Sequence, residues 1–400
     1  MRVAIVSKAD APGGGASRFA EDLASWLLES GHDVTHLCGT FHGKPRSFQR
    51  SFHTGKLQGK LCRLVNRRTR SLGLNELFPL EYILSWRSLF RSFDVVHFHD
   101  HYRAYSLLNL PLVARQSRVI FTAHDFLHVT GGCVYPLACT AYATHCGDCP
   151  QLATIGRFDF TRFNQALQRR VSARPDLTYV YPSRWLRERA EQATRFGRTP
   201  HLIPYAFDPR PYQFVDRAEA RRRLGLPANR RIICISAHYL IDRRKGAEFA
   251  LRAVASVQDL APFLLLVGHF SEQLRPFLRD GDFRLSGYVN SRVELGLLYA
   301  AADIFLFCPL QDNLPISVQE AMAAATPVVG FATGGVPEMV EDGHTAWLVP
   351  TGDQAGLDHK LREALTSGMT AQRGHAAREV VQRRFSVRDC VRAHEQIYAA

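Results

Sequence analysis

No run of 18 apolar residues occurs in this 400-residue chain, so no segment has the length and character of a membrane-spanning helix. Lysine is scarce, since 44 of the 50 basic residues are Arg. There is no short-period repeat and no low-complexity tract. Neither G-x-G-x-x-G nor a Walker loop is present, which removes the usual signals for dinucleotide or ATP binding. What is present suits a globular enzyme: 46% apolar residues supply cores, and 22% charged residues argue against disorder. Four hundred residues exceed what one core usually supports, so two domains of roughly 200 residues are expected. Met1–Val6 is too short for a secretory apolar region and runs into polar residues, so it reads as the first buried strand of a cytoplasmic protein.

The net charge of +13 is unevenly spread. Between Lys44 and Arg91 eleven bases, including Lys56, Lys60, Arg63, Arg67, Arg68 and Arg70, are met only by Glu76 and Glu81. Interleaved with Leu57, Leu61, Leu64, Val65, Leu72 and Leu74, segment 44–91 reads as an amphipathic basic surface. It suits peripheral contact with the inner face of an anionic membrane, or a phosphate-bearing acceptor; a solvated loop and helix is the plainer alternative. It lacks interleaved aromatics and any recognisable nucleic-acid motif, so nucleic acid is not an expected partner.

Short apolar runs alternate with helical patterns from end to end, the signature of parallel sheets covered on both faces, and the fold class is α/β. In the first half strands are expected at Val3–Ser7, Asp33–Leu37, Val95–His99, Val119–Thr122 and Leu177–Tyr181, with helices Ser17–Ser30 and Arg184–Thr194. The three prolines of His201–Pro211 mark a linker. A second series follows: strands Arg231–Ser236, Phe263–Val267, Phe283–Gly287, Ile304–Phe307 and Val328–Phe331, with helices Ala247–Val257 and Arg292–Ala301. The expected domains are 1–205, carrying a Cys-rich insertion at 130–152, and 206–384, with a terminal helix at 385–400 packing back on the first. Two doubly wound domains facing one another would line an interdomain cleft with the loops at their strands' carboxyl ends.

Asp312 and Glu320 place two carboxylates eight residues apart across a loop-to-helix junction, because Pro315 suits a helix start and Thr326-Pro327 its end. Both can accept hydrogen bonds from the hydroxyls of a sugar or ribose. Ser317-x-x-Glu320 also fits a capping box, which would make Glu320 purely structural. Pro12-Gly13-Gly14-Gly15 after the first strand allows backbone N–H groups to approach an anion or ligand at a helix start, or is simply a glycine turn. His124 follows a parallel strand directly, where its imidazole can bond a substrate hydroxyl. Arg243-Arg244-Lys245 at a helix entrance opposes the helix dipole and is better explained by a bound diphosphate than by helix stability, with a simple exposed basic turn as the alternative. At Gly287-Tyr288-Val289 backbone groups can pair with a base edge. Cys133, Cys139, Cys146 and Cys149, closing in C-x-x-C-P, suit a closed structural zinc site, with disulfides or inert thiols as alternatives.

Together these residues resemble the retaining family-4 glycosyltransferases of the GT-B fold, over essentially the whole chain. Asp312 to Glu320, followed by Ala321-Met322-Ala323 and Thr326-Pro327-Val328-Val329, is similar to that family's E-x7-E block, with Asp replacing the first Glu. His124-Asp125 through Thr130-Gly131-Gly132-Cys133 to Cys149-Pro150-Gln151-Leu152 is similar to a subgroup that builds bacterial exopolysaccharides and lipid-linked glycans. The resemblance implies that Glu320 holds the ribose of a nucleotide sugar, a UDP-sugar in preference to a GDP-sugar. Asp312, with Asn313 and Leu314 after it, would hold the donor sugar, and Arg244 and Lys245 the diphosphate. Gly14 and Gly15 would approach donor phosphate or acceptor, Gly287 and Val289 the base, and His124 would stand beside the transferred sugar. Transfer would retain configuration and need no catalytic metal, and the acceptor would be a glycan, a lipid-linked glycan or a small molecule. Many members carry a base five positions before the Lys-Gly pair, where this chain has Leu240. A nucleotide-sugar epimerase or hydrolase of the same shape is the alternative, and a non-catalytic nucleotide-sugar-binding module a further one.

Overall fold

The structure, a computed structural model, describes residues 1–53, 55–152, 156–212 and 215–400. The chain divides into two compact units, Met1–Tyr205 with Cys390–Ala400, and Ala206–Asp389.

The first unit is built on strands β1 (Arg2–Ala9), β2 (Asp33–Thr40), β3 (Gln49–Ser51), β4 (Val95–His99), β5 (Arg118–Thr122), β6 (Leu177–Tyr181) and β7 (His201–Leu202). They form one parallel sheet in the order β3-β2-β1-β4-β5-β6-β7. Val3 to Val6 and all of β4 and β6 are buried, as expected of central strands covered on both faces. Helix α1 (Gly15–Glu29) follows β1 and buries Phe19, Leu23, Trp26 and Leu27. Helix α2 (Lys56–Ser71) leaves its leucines in solvent, whereas α3 (Thr161–Ser172) and α4 (Arg184–Ala193) each bury one side. The terminal helix, Val387–Ala399, belongs to this unit from Cys390 onward. Its Tyr398 hydroxyl lies 2.7 Å from His97 Nδ1, and Glu395 pairs with His32 at 2.9 Å.

The second unit has strands β8 (Ile232–Tyr239), β9 (Phe263–His269), β10 (Phe283–Gly287), β11 (Ile304–Phe307), β12 (Val328–Phe331) and β13 (Ala346–Val349). They run parallel in the order β10-β9-β8-β11-β12-β13. In each unit the strand order reverses once, between β1 and β4 and between β8 and β11. Loops leaving the carboxyl ends of that strand pair flank a crevice. β3, β7 and β13 were not expected from sequence. β3 is the polar triplet Gln-Arg-Ser at the sheet edge, and β7 is two residues inside the proline-rich segment.

Candidate functional site

The switch point of the second unit collects the charged residues. The loop after β8 carries Asp242 to Lys245, and the loop after β11 carries Gln311 to Leu314. Lys245 Nζ lies 2.7 Å from Asp312 Oδ2, and Arg244 Nη1 lies 3.4 Å from the same oxygen. Arg244 Nη1 also donates to the Gln311 carbonyl at 2.9 Å, and the Leu310 N–H donates to the Arg244 carbonyl at 2.8 Å. The two loops are thus stitched together by backbone as well as by charge. Burial alone would raise the Asp312 carboxyl, but the attraction of Lys245 and then Arg244 holds it down at about 2. Two glycines permit this packing. Gly246 has φ +68° and a Cβ there would stand 1.7 Å from the Cys308 carbonyl oxygen; Gly334 has φ +60° and a Cβ there would meet the Asp312 carbonyl oxygen at 1.6 Å.

Glu320 lies in helix α8 (Ile316–Ala323), and is buried. In chain order α5 (Arg217–Leu224), α6 (Ala247–Ser256) and α7 (Arg292–Ala301) precede it. No side chain caps α8 at its start, so Ser317 and Glu320 do not form a capping box. The hydroxyls of Tyr212 and Tyr299 instead donate to Glu320 Oε1 at 3.1 Å and Oε2 at 3.4 Å. The carboxylate is held from two sides by groups that stabilise its charged form. Asn313 and Leu314 are buried beside Asp312, and the Asn313 N–H donates to Asp312 Oδ1 at 3.0 Å. Gly287 ends β10 with φ +66°, and Val289 is buried just beyond it.

In the first unit Gly14 has φ +119° and serves as N-cap of α1 without a side-chain cap, and Gly15 is exposed as the first helical residue. Ser17 Oγ in that first turn is buried and has no hydrogen-bond partner among the described residues. His124 follows β5. Its Nδ1 lies 2.5 Å from the Tyr205 hydroxyl and its Nε2 lies 3.1 Å from His99 Nδ1. Burial lowers the imidazole to about 4, with Lys8 adding to the shift and Asp100 opposing it, so the ring is neutral at pH 7. It therefore acts as a hydrogen-bonding group, not as a cation. Beside it Lys8 Nζ pairs with Asp100 Oδ2 at 2.8 Å, and Asp100 has φ +51°.

Lys8, His99, Asp100, Tyr205, Tyr212 and Tyr299 were not singled out from sequence. For Asp100 a signal existed, since the polar run His99-Asp100-His101 sits at a strand's carboxyl end as His124 does. The tyrosines carried none, because a buried phenol and a pocket phenol read alike.

Cys133, Cys139, Cys146 and Cys149 line one small cavity. Among the described residues, however, no group of three or more His, Cys, Asp or Glu side chains is arranged to hold a metal ion, and all nine cysteines are free thiols. The geometry thus supports neither the expected zinc site nor disulfides. Burial pushes the Cys133 thiol up to about 12, with the Thr130 hydroxyl opposing and the neighbouring sulfurs adding to the shift. Hydrogen bonds tie the loop to its surroundings, the Gly131 N–H donating to Cys146 Sγ at 3.3 Å and the Cys146 N–H to Gln165 Oε1 at 2.7 Å.

The chain is thus built of two doubly wound α/β units with polar and charged side chains at the carboxyl ends of their central strands. Residues 13–211 match the family model described as Glycosyltransferase Family 4, and residues 229–367 match that described as Glycosyl transferases group 1. The chain belongs to the family-4 glycosyltransferases of the GT-B fold. It is 26% identical over 198 residues to N-acetyl-alpha-D-glucosaminyl L-malate synthase of Bacillus anthracis, a match covering 48% of this chain and 51% of that protein. The chain thus spans about half the length of this curated relative. Among solved structures, sucrose-phosphate synthase from Thermosynechococcus elongatus superposes with a TM-score of 0.75 at 19% identity, covering 100% of this chain and 98% of that one. Anabaena HepE in complex with UDP-glucose gives a TM-score of 0.70 at 16% identity, with 100% of both chains covered. At these identities the two structures speak for the fold.

Proposed function

We propose that this protein transfers a glycosyl group from a nucleoside diphosphate sugar, a UDP-sugar first, to a hydroxyl of a glycan or lipid-linked acceptor, with retention at the anomeric carbon. The observation that carries the reading is the Lys245–Asp312–Arg244 cluster at the β8/β11 switch point, with Glu320 on the helix that follows. Arg244 and Lys245 offer charge to a diphosphate and stabilise it as the bond from the anomeric carbon to its oxygen breaks. Asp312 keeps both bases in place and presents acceptor oxygens to the donor sugar together with the Asn313 and Leu314 backbone. Glu320, fixed by two phenols, accepts from ribose hydroxyls. The acceptor oxygen bonds to the anomeric carbon on the face the diphosphate leaves, and the acceptor's proton passes to a departing phosphate oxygen. In this scheme the bases supply the positive charge that a metal would otherwise bring. Neutral His124 hydrogen-bonds the transferred sugar, and Gly14 and Gly15 lie against phosphate or acceptor.

A lipid-linked acceptor, and peripheral contact at the cytoplasmic face of a membrane, are supported by α2. There Leu57, Leu61 and Leu64 are exposed amid Lys56, Lys60, Arg63, Arg67 and Arg68. UDP is favoured because HepE, which shares the fold, is seen with UDP-glucose. The test is a panel of UDP-, GDP- and dTDP-sugars assayed with polyprenyl-linked glycans, the product's anomeric configuration being read by NMR. Glu320→Ala and Lys245→Ala should each lower kcat/KM at least a hundredfold. Undiminished transfer in either variant removes that residue from the donor site, and sugar release that ignores acceptor points to a hydrolase instead.

A further inference from the structure

A recess of about 660 Å³ lies at the amino ends of the central strands of the first unit. This is the edge of the sheet opposite to Lys8, Asp100 and His124, because parallel strands place all their amino ends along one edge. β4 and β5, five residues each, set the two edges roughly 16 Å apart. Arg2 opens β1 and Arg118 opens β5; Arg91 and Arg115 lie a few residues before β4 and β5, and Arg198 lies between α4 and β7. Five arginines thus line one concavity, against two carboxylates, Asp94 and Asp176.

Both carboxylates are already engaged. Asp94 accepts from the Arg2 N–H at 2.7 Å and has the Arg2 guanidinium at 3.7 Å, and Asp176 takes two bonds from Arg174, at 2.8 and 2.6 Å. Arg198 Nε donates to the Pro175 carbonyl at 2.6 Å, and Arg118 Nη1 donates to the Ile397 carbonyl at 3.3 Å. The Ile397 contact has a structural use, since carbonyls in the last turn of the terminal helix lack partners inside it. A carbonyl nevertheless leaves the cation unneutralised. Among the described residues Arg91, Arg115, Arg118 and Arg198 form no ion pair, and the exposed Arg91 and Arg115 have no side-chain partner at all.

Like charges that converge on a concavity repel one another, and its walls focus their field on whatever enters. We infer that this recess is a second anion site, for a small phosphate ester whose oxygens pair with Arg91, Arg115 and Arg198 above Arg118. Guanidinium forks match phosphate oxygens in pairs, and the volume is that of a small-molecule site. A bilayer is the poorer match, because no large apolar side chain in the lining is exposed, in contrast to α2. The site does not rest on the nucleotide-sugar reading, since it uses none of the residues assigned to the donor.

Calorimetric titration of the full chain with glycerol 3-phosphate tests this, in a Lys245→Ala background so that the basic pair of the second unit does not take up the probe. One equivalent should bind. Arg91→Ser together with Arg115→Ser should weaken binding at least tenfold, and Arg115→Glu alone should do the same; thermal stability should hold in both, because these side chains face solvent. No binding in the Lys245→Ala background, or an affinity that neither set of substitutions alters, overturns the site. Citrate bound as tightly as glycerol 3-phosphate overturns the assignment to phosphate. Phosphatidic acid vesicles held through these arginines by a protein that ignores glycerol 3-phosphate overturn the assignment to a small ligand.

Discussion

Asp312 joins a structural role to the one proposed for it at the donor site. Its carboxylate is buried, and two cations offset the cost of burying it. Removing the carboxylate takes from Lys245 its partner at 2.7 Å and leaves Arg244 with Asp242 at 3.7 Å, so Asp312→Ala should lose about 3 kcal/mol of stability at pH 7. The pH dependence has a definite sign. The folded carboxyl titrates at about 2, below its ordinary value of 3.8, so its contribution is present above pH 3.8 and is lost as pH falls toward 2. Urea unfolding at pH 7 and at pH 3 checks this: the gap between wild type and variant should narrow at the lower pH. Equal stability of the two proteins at pH 7 would show that the ion pairs hold nothing together. A saturating nucleoside diphosphate should restore part of the loss only if it reaches Lys245 and Arg244. At this scale the sequence was readable where chemistry is unusual. Consecutive bases at a helix entrance and a carboxylate before a proline both pointed to the site. The role of Glu320 stayed open because a capping box and a ligand contact use the same letters; the deciding partners, Tyr212 and Tyr299, lie 108 and 21 residues away in the chain.

Strands were legible where an uninterrupted apolar run marks them off from their flanking turns. Ten strands could be placed from apolar runs because strands covered on both faces are apolar nearly throughout. β3, at the edge, has no such run, and β13 follows a turn whose Gly343 and Thr345 obscure its start. Helix α2 is the opposite case, an element whose pattern announces an apolar side that the fold does not bury. Leu57 is 82% exposed and Leu64 55%. The helix is anchored elsewhere, through Asn66 Nδ2 donating to Glu81 at 3.0 Å and the Arg70–Glu76 ion pair. Exposed leucines beside a dense row of bases match an anionic bilayer in both chemistry and charge, each base near such a surface adding about 1 kcal/mol. The protein should therefore sediment with phosphatidylglycerol vesicles and not with phosphatidylcholine vesicles, and 0.5 M salt should weaken the association. The double substitution Leu57→Glu with Leu64→Glu should reduce vesicle binding at least tenfold without changing thermal stability, since both side chains already face solvent. Unchanged binding by that variant would mean that α2 is merely a solvated helix.

Over the whole molecule the two units differ in a way that pH should expose. The first unit buries an exceptional set of histidines, a consequence of placing imidazoles on and just after central strands. Burial lowers His36, His101, His124 and His394 to about 4 and His128 to about 3, and takes His97 and His99 well below their ordinary 6.5. Two are bonded at short range as neutral rings, His97 to Tyr398 and Thr122 at 2.7 Å each and His128 to Tyr181 at 2.6 Å, whereas His99 Nε2 and His394 Nε2 are buried with no hydrogen-bond partner among the described residues. None of this could be read from residue types, because a histidine in a strand gives no sign of whether it is charged. Each ring takes up a proton near pH 6.5 when unfolded and resists it when folded. Stability is therefore full above pH 6.5 and falls as pH drops through the folded values near 4. By pH 5 the loss is about 2 kcal/mol for each such histidine, so even three or four of them remove most of the margin of an ordinary domain. The second unit places no comparable set in its core, and its Asp312 titrates only at about 2. Calorimetric scans from pH 7.5 to pH 5 should accordingly show the first unit's transition moving down steeply and the second's barely moving, with hydrogen exchange assigning each transition to its unit. The terminal helix should loosen with the first unit, because Tyr398 is bonded to one of the rings that must charge. His97→Gln, which keeps a neutral hydrogen-bonding group at that position, should flatten the acid slope by about one proton even if it lowers stability at pH 7. A first unit whose transition temperature is the same at pH 7.5 and pH 5 would mean that these histidines can be protonated without unfolding.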